Sequence, residues 1–248
     1  GDEVIVPSIS WSTTYYPLQQ YGLKLRFVDV ELNSINVDIA KLKKAITPRT
    51  KLIIGVSILG NPAKLDVIKD FTDRNNLYLM EDNCESLGAE LPNNSKTGTF
   101  GDVNTFSFFY SHHINTMEGG MILTNDNEIF HLLRSLRNHG WTRDLPENSP
   151  IFEKKDEDFY EAYRFILPGY NLRPVELAGA IGRQQLKKLP DIIAKRRKNM
   201  LAFNALFGND ERFIIQKEYG KSSAFSFPVV LNPNEKPNRD SIRGSLAK

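Results

Sequence analysis

Short, β-branched apolar runs alternate along this chain with longer amphipathic ones. The runs at 4–7, 25–30, 52–58, 77–81, 105–109 and 121–124 have the length and composition of strands. The stretches at 38–46, 65–75, 128–138, 174–189 and 192–207 repeat their apolar positions at the helical period. Strands alternating with helices predict an α/β fold with a mostly parallel sheet covered by helices on both faces. Past Pro190 a basic helical stretch is followed by residues 217–222, which read as a loop, and by 223–231, which alternate like a half-buried strand. Residues 1–190 are therefore expected to form a large domain and 191–248 the start of a smaller α+β domain. Gly1-Asp2-Glu3 feeds directly into the first strand with no initiator Met, and Ser245-Leu246-Ala247-Lys248 stops inside a helical pattern. The chain is thus expected to be a piece of a longer protein.

Composition narrows the class. Of 248 residues, 40% are hydrophobic and 25% charged, enough apolar content for a sizeable core. A net charge of +2 gives no general case for nucleic-acid binding, and the basic run Lys195-Arg196-Arg197-Lys198 reads as a solvated helix face. Cys84 is the single cysteine, which excludes an intramolecular disulfide and a four-cysteine cluster within this chain. It suits a reducing, cytoplasmic setting. No apolar run is long enough to span a bilayer. No metal site is expected.

In a parallel α/β sheet, ligands bind beyond the carboxyl ends of the strands. Asp82 sits at such an end. It reads either as a turn or N-cap carboxylate or as the partner of a protonated ring nitrogen. Trp11, in the polar segment after the first strand, is either a core plug or a stacking platform. Ser107 and the adjacent His112 and His113 follow the fifth strand. Paired histidines in a loop are more often surface or hydrogen-bonded groups than ligands.

Several segments together carry a resemblance. Gly1-Asp2-Glu3-Val4-Ile5-Val6-Pro7, Phe27-Val28-Asp29-Val30, Glu81-Asp82-Asn83-Cys84-Glu85-Ser86-Leu87-Gly88-Ala89, Gly98-Thr99-Phe100-Gly101-Asp102, Met117-Glu118-Gly119-Gly120 and Pro168-Gly169-Tyr170-Asn171-Leu172-Arg173-Pro174 occur in the order found in one family. They resemble the nucleotide-sugar aminotransferases of the DegT/DnrJ/EryC1/StrS family, which are fold-type I pyridoxal phosphate (PLP) enzymes. The Ser111-His112-His113-Ile114 run, the Met117-Glu118-Gly119-Gly120 run and His139-Gly140-Trp141-Thr142-Arg143 are most similar to its colitose-type sugar dehydratases, of dideoxysugar and O-antigen lipopolysaccharide biosynthesis. Met117 stands where relatives often have glycine.

Most of the family has a cofactor-binding lysine at the position that counting back from Gly120 gives to His112. No lysine lies between Lys96 and Lys154. An imidazole cannot bond covalently to the cofactor's aldehyde, so the resemblance implies pyridoxal or pyridoxamine 5'-phosphate held non-covalently. Imidazole titrates near ~6.5, against ~10.4 for lysine, and can exchange protons at working pH. The implied activity is a 3-dehydratase (a lyase) acting on a GDP-linked 4-keto-6-deoxy-mannose, with His112 as acid/base and L-glutamate as amino donor. By resemblance Asp82 pairs with the ring nitrogen, Trp11 stacks on the ring, and Glu85 lies near the ring oxygen. Ser107 binds the phosphate, and Asn171 reaches a phosphate across a homodimer. Arg173 is the carboxylate clamp, and His139 and Arg143 are candidate contacts to donor or sugar nucleotide, or else simple helix C-terminal cations. The alternatives are an ordinary sugar aminotransferase, an iron–sulfur 3-dehydratase, and a non-catalytic sugar-nucleotide-binding relative. The lysine gap argues against the first, the absence of cysteine from 140–155 against the second, and retention of the cofactor residues against the third.

Overall fold

The computed structural model describes residues 1–235 and 238–246. Six strands form the main sheet: β1 (Glu3–Pro7), β2 (Lys24–Val28), β3 (Thr50–Val56), β4 (Tyr78–Asp82), β5 (Val103–Ser107) and β6 (Gly120–Leu123). Their order is β2-β1-β3-β4-β5-β6; all neighbours are parallel except the antiparallel β5–β6 pair. The helices are α1 (Tyr16–Gln20), α2 (Ile39–Lys44), α3 (Leu65–Arg74), α4 (Asn127–Leu136), α5 (Asp158–Ala162), α6 (Glu176–Phe207) and α7 (Arg239–Leu246). A two-stranded antiparallel sheet, β7 (Phe213–Ile215) with β8 (Val229–Leu231), completes the described residues. No helix among them is long and apolar enough to cross a membrane. Ala247 and Lys248, where the sequence suggested the chain stops inside a helix, lie outside the described residues.

The sheet's apolar runs are continuous because its central strands are covered on both sides. All five residues of β1 are buried. Alternation sends Ile5, Ile53 and Leu79 to one face, where they meet Val28, Leu42 and Ile68. Val4, Val6, Ile54 and Val56 go to the other and meet Ile35 and Ile58. Each such side chain, fully buried, contributes roughly 1.5–3 kcal/mol. Asp38 caps α2 by accepting from the Ala40 and Lys41 amides, and Asp126 caps α4 by accepting from the Ile129 amide. At the sheet edge, β6 is exposed at every position, with Met121, Ile122 and Leu123 open on its two faces.

Three expectations change. The helices at 174–189 and 192–207 are one 32-residue helix that runs straight through Pro190. Pro190 lies on the exposed side, where water can take up the carbonyl four residues back that loses its partner. The strand expected over 223–231 is confined to its last three residues. Ala224 takes a φ of 54°, which interrupts any extended run, and Ser222–Ala224 form a buried strap instead. The basic run in α6 is not a uniform solvated face. Lys195 and Lys198 are exposed, but Arg197 donates to the Ser222 carbonyl (2.6 Å) and Glu218 (2.8 Å), and Arg196 donates to the Phe225 carbonyl (2.8 Å).

Glu81 is fully buried in β4 and ties the strand to the 98–101 turn. Its carboxylate accepts from the amides of Gly98 (2.6 Å), Phe100 (2.7 Å) and Gly101 (2.8 Å) and from the Asn83 side chain (3.1 Å). A buried carboxylate is tolerable only with such a full set of donors. Glu81→Ala strands the backbone N–H groups of Gly98 and Phe100, while Gly101 keeps Asn104 as an acceptor (2.9 Å), and is expected to lower unfolding free energy by more than about 3 kcal/mol, checked by urea denaturation; a loss within experimental error would remove Glu81 from this role.

Candidate active site

The carboxyl ends of β1, β4 and β5 bring several predicted residues to one side of the sheet. Asp82 closes β4, half-buried, and its two oxygens are engaged differently. Oδ2 accepts from the Thr14 hydroxyl (2.8 Å), itself 2.9 Å from the Ser10 hydroxyl, and Oδ1 accepts from the Cys84 amide (3.2 Å). Thr14 follows Trp11 by three residues in a short 3-10 turn, in which the Thr14 amide donates to the Trp11 carbonyl (3.0 Å). The Trp11 side chain is 71% exposed, free to present its face. Glu85, one turn past Asp82, accepts from the Leu59 amide (2.7 Å); burial, reinforced by repulsion from Asp82, raises its pKa above the usual carboxylate value. Burial likewise pushes the Cys84 thiol far up, which makes it inert at neutral pH.

Ser107 closes β5 opposite Gly120, and its hydroxyl accepts from the Phe109 amide (3.3 Å). The β5–β6 connection carries both histidines. It is pinned by Phe108 to Gly119, Thr116 to Phe108 and His112 to Phe109 backbone hydrogen bonds. Met117 takes a φ of 72°, a conformation glycine adopts freely and other residues at a cost of roughly 1–2 kcal/mol.

His112 is half-buried, with its Nδ1 enclosed and without a hydrogen-bond partner. Burial lowers its pKa; the nearby Phe109 carbonyl, outside hydrogen-bond geometry, and the Asp82 carboxylate oppose this, while Arg196 adds to it. The ring is therefore neutral at neutral pH and able to accept a proton. His113 is only 3% exposed, donates from Nε2 to the Ser223 carbonyl (2.9 Å), and is pushed down to about 4, chiefly by burial. It is a structural group.

The remaining predicted residues form a second cluster. His139, at a φ of 63°, donates its amide to the Tyr170 carbonyl (2.8 Å), and Asn138 bridges to Asn171. Arg143 lays its guanidinium 3.9 Å from the centre of the Trp141 ring, a cation–π contact. Asn171, Arg143 and Arg173 are exposed. Among the described residues no hydrogen bond links this cluster to Asp82, Glu85 or His112.

Comparison with known proteins decides the family. The DegT/DnrJ/EryC1/StrS aminotransferase family model matches residues 1–248. The chain belongs to this family. It is 53% identical over 232 residues to the GDP-4-keto-6-deoxy-D-mannose 3-dehydratases of Yersinia pseudotuberculosis and of Escherichia coli O55:H7, covering 93% of this chain and 59% and 60% of those proteins. It superimposes on an E. coli GDP-4-keto-6-deoxy-D-mannose-3-dehydratase with bound hydrated PLP at a TM-score of 0.94 and 50% identity, covering all of this chain and 64% of the other. A structure of GDP-4-keto-6-deoxymannose-3-dehydratase with a trapped PLP-glutamate geminal diamine superimposes at a TM-score of 0.95 and 49% identity, over 100% of this chain and 64% of that one. The chain thus spans about three fifths of the length of these relatives.

Within this family member, the residue pattern missed Thr14, Arg196 and Phe225. Thr14 sits in an ordinary Ser-Thr-Thr run, and only the fold puts its hydroxyl on Asp82. Arg196 was hidden in a basic run. Phe225, packed on both histidine rings, is 112 or more residues away from them in sequence and carries no local signal.

The low pKa of His113 has a consequence for stability. An unfolded histidine takes up a proton near ~6.5, and the folded one only near 4. The contribution is complete above ~6.5 and is lost as pH falls towards 4, because the unfolded chain binds the proton first, for a total of roughly 3 kcal/mol. His113→Gln, which retains a donor for the Ser223 carbonyl, should flatten this part of the pH dependence in urea unfolding series at pH 4 to 7. An unchanged slope would assign it to other groups.

Proposed function

We propose that the chain carries the catalytic part of a PLP-dependent sugar 3-dehydratase, acting on a GDP-linked 4-keto-6-deoxy-mannose with glutamate as amino donor. The observation that carries the reading is His112. An imidazole, neutral, with one enclosed nitrogen and within electrostatic reach of Asp82, occupies the position that the resemblance gives to the family's lysine. The names of the 53%-identical relatives point to the same reaction.

The side chains suit a flat, phosphorylated pyridine. Asp82, fixed by Thr14 and Cys84, offers a carboxylate to a protonated ring nitrogen. Trp11 supplies an exposed aromatic face, Glu85 a carboxyl group for the ring oxygen, and Ser107 a hydroxyl for the phosphate. Bound as pyridoxamine phosphate, the cofactor supplies an amine for the sugar's C4 ketone and a ring that accepts electrons. His112 would be the residue that moves protons beside the reacting carbons, accepting one and returning one to the departing C3 hydroxyl, a role suited to a neutral imidazole. Because an imidazole forms no lasting covalent bond to the cofactor, His112 favours elimination over amino transfer.

Arg173 is assigned to the donor's carboxylate, which a guanidinium binds through two hydrogen bonds. His139 and Arg143 are assigned to donor or sugar nucleotide. Asn171 is assigned to a phosphate in the second subunit's site of a homodimer, in keeping with its distance from the Asp82 cluster in contacts. We assign the assembly to the cytoplasm. Residues 1–190 are read as the large cofactor domain and 191–248 as the start of the small one, with β7–β8 as its first sheet; α6 runs through the junction.

The test is chemical. Supplied with PLP and glutamate, the protein should exchange absorption of the aldehyde form for that of the amine form, then release ammonia on addition of the GDP-linked 4-keto sugar. A product sugar that keeps the nitrogen would make it an aminotransferase. His112→Asn should lower dehydration at least ~100-fold while cofactor binding persists. His112→Lys should become covalently attached to the cofactor, read by mass after borohydride reduction; an unmodified lysine would place residue 112 away from the reactive carbon.

A further inference from the structure

A proton-carrying imidazole is usually oriented by a hydrogen bond from its second nitrogen to a carboxylate or carbonyl, which sets both tautomer and angle. His112 has no such orienter at Nδ1. Its ring instead packs against two aromatic rings. Phe109 is 5.9 Å away at 77°, and Phe225 is 5.3 Å away at 53°. Phe109 shares the histidine's own loop and moves with it. Phe225 comes from the far end of the chain and supplies an independent reference.

Phe225 is itself firmly held. Its amide donates to the Leu59 carbonyl (3.2 Å), and its carbonyl accepts from Arg196 Nη1 (2.8 Å), which also reaches the Ala224 carbonyl (3.4 Å). The Arg196 guanidinium lies 5.8 Å from the Phe225 ring centre. The strap before it is fixed by His113 on the Ser223 carbonyl and by the Ser223 amide on the Gly60 carbonyl (2.9 Å). Gly60, at a φ of 88°, admits this approach: a Cβ there would stand 2.8 Å from the Phe225 amide nitrogen. The same turn carries Leu59, whose amide holds Glu85. One framework thus runs from Glu85 through the turn and the strap to the His112 ring.

We propose that Phe225, clamped by Arg196, is the positioning residue that sets the angle of the His112 imidazole. The proposal rests on the reading of His112 as the proton carrier. Neither residue is assigned a contact with reacting atoms; Phe225 acts by fixing a ring that has no hydrogen bond to fix it. Charged and titratable groups facing His112 are Asp82 from β4, Arg196 from α6 and the neighbouring His113.

The experiment uses the cofactor-bound protein labelled with 15N-histidine. Ring resonances are followed by NMR from pH 4 to 8, with His112 assigned by its loss in His112→Asn, and kinetics are measured on the same samples. Phe225→Ala should raise the His112 pKa towards its ordinary value and lower kcat roughly 10–100-fold, since small misplacements of a reacting group cost that much. KM for the sugar nucleotide and Kd for pyridoxamine phosphate should hold. Phe225→Tyr should restore both readouts. Arg196→Met, which removes the clamp and the cation, should shift His112 the same way. Phe225→Leu gives the same reading if the alanine variant does not fold. An unshifted His112 with undiminished kcat in these variants would overturn the proposal, as would losses confined to KM or cofactor affinity. The ring titration needs no turnover. A shifted ring in a protein that releases no ammonia would sink the dehydratase reading alone, and an unshifted ring in an active protein would sink only the positioning role.

Discussion

The architecture of the site depends on two neighbouring carboxylates pointing in opposite directions. Adjacent strand residues face opposite sides of a sheet. At the end of β4, Glu81 turns into the protein and Asp82 turns to the site. Glu81 gathers three backbone amides from the 98–101 turn and the Asn83 side chain. That turn leads straight into β5, which pairs Thr105 with Asp82. The buried carboxylate therefore sets where β5 begins, and with it where Ser107 and the histidine loop emerge. Asp82 can remain half-exposed at the site because the anchoring of the 98–101 turn falls to its neighbour.

The central architecture was legible because it obeys local rules. Val4–Val6 and 52–56 are apolar on both faces, as strands buried on both sides must be, and the order of elements implies crossover helices. The positions of Asp82 at the end of β4 and of His112 in the loop after β5 were legible from the strand pattern. What could not be read arises from contacts between distant segments. Pro190 is a helix stop by local chemistry, yet α6 continues through it because the defect faces solvent. Arg196 and Arg197 look like solvated charges until the 222–225 strap supplies carbonyls for them. Residues 223–228 have strand-like alternation, but the strap's hydrogen bonds go to Gly60, Leu59 and two arginines, leaving no ladder to form.

The two histidines, adjacent in sequence, are divided in task by their partners. His113 gives its Nε2 proton to the strap and is buried deeply enough to stay uncharged. His112 has an enclosed Nδ1 without a partner and keeps its capacity for exchange. A single-residue slip of this loop would put one histidine in the other's environment and Ser111 or Ile114 in the place it left. Met117, held in a left-handed conformation three residues before β6 resumes, is part of what fixes the register, since the turn it makes lets Gly119 pair with Phe108.

The open edge at β6 constrains what can lie beside it. A row of unmatched backbone donors and acceptors, flanked by Met121, Ile122 and Leu123, is a template onto which another extended segment can add. No charged side chain or proline interrupts Gly120–Leu123 to discourage this. A strand laid along that border would satisfy those groups and cover Met121, Ile122 and Leu123 in one step.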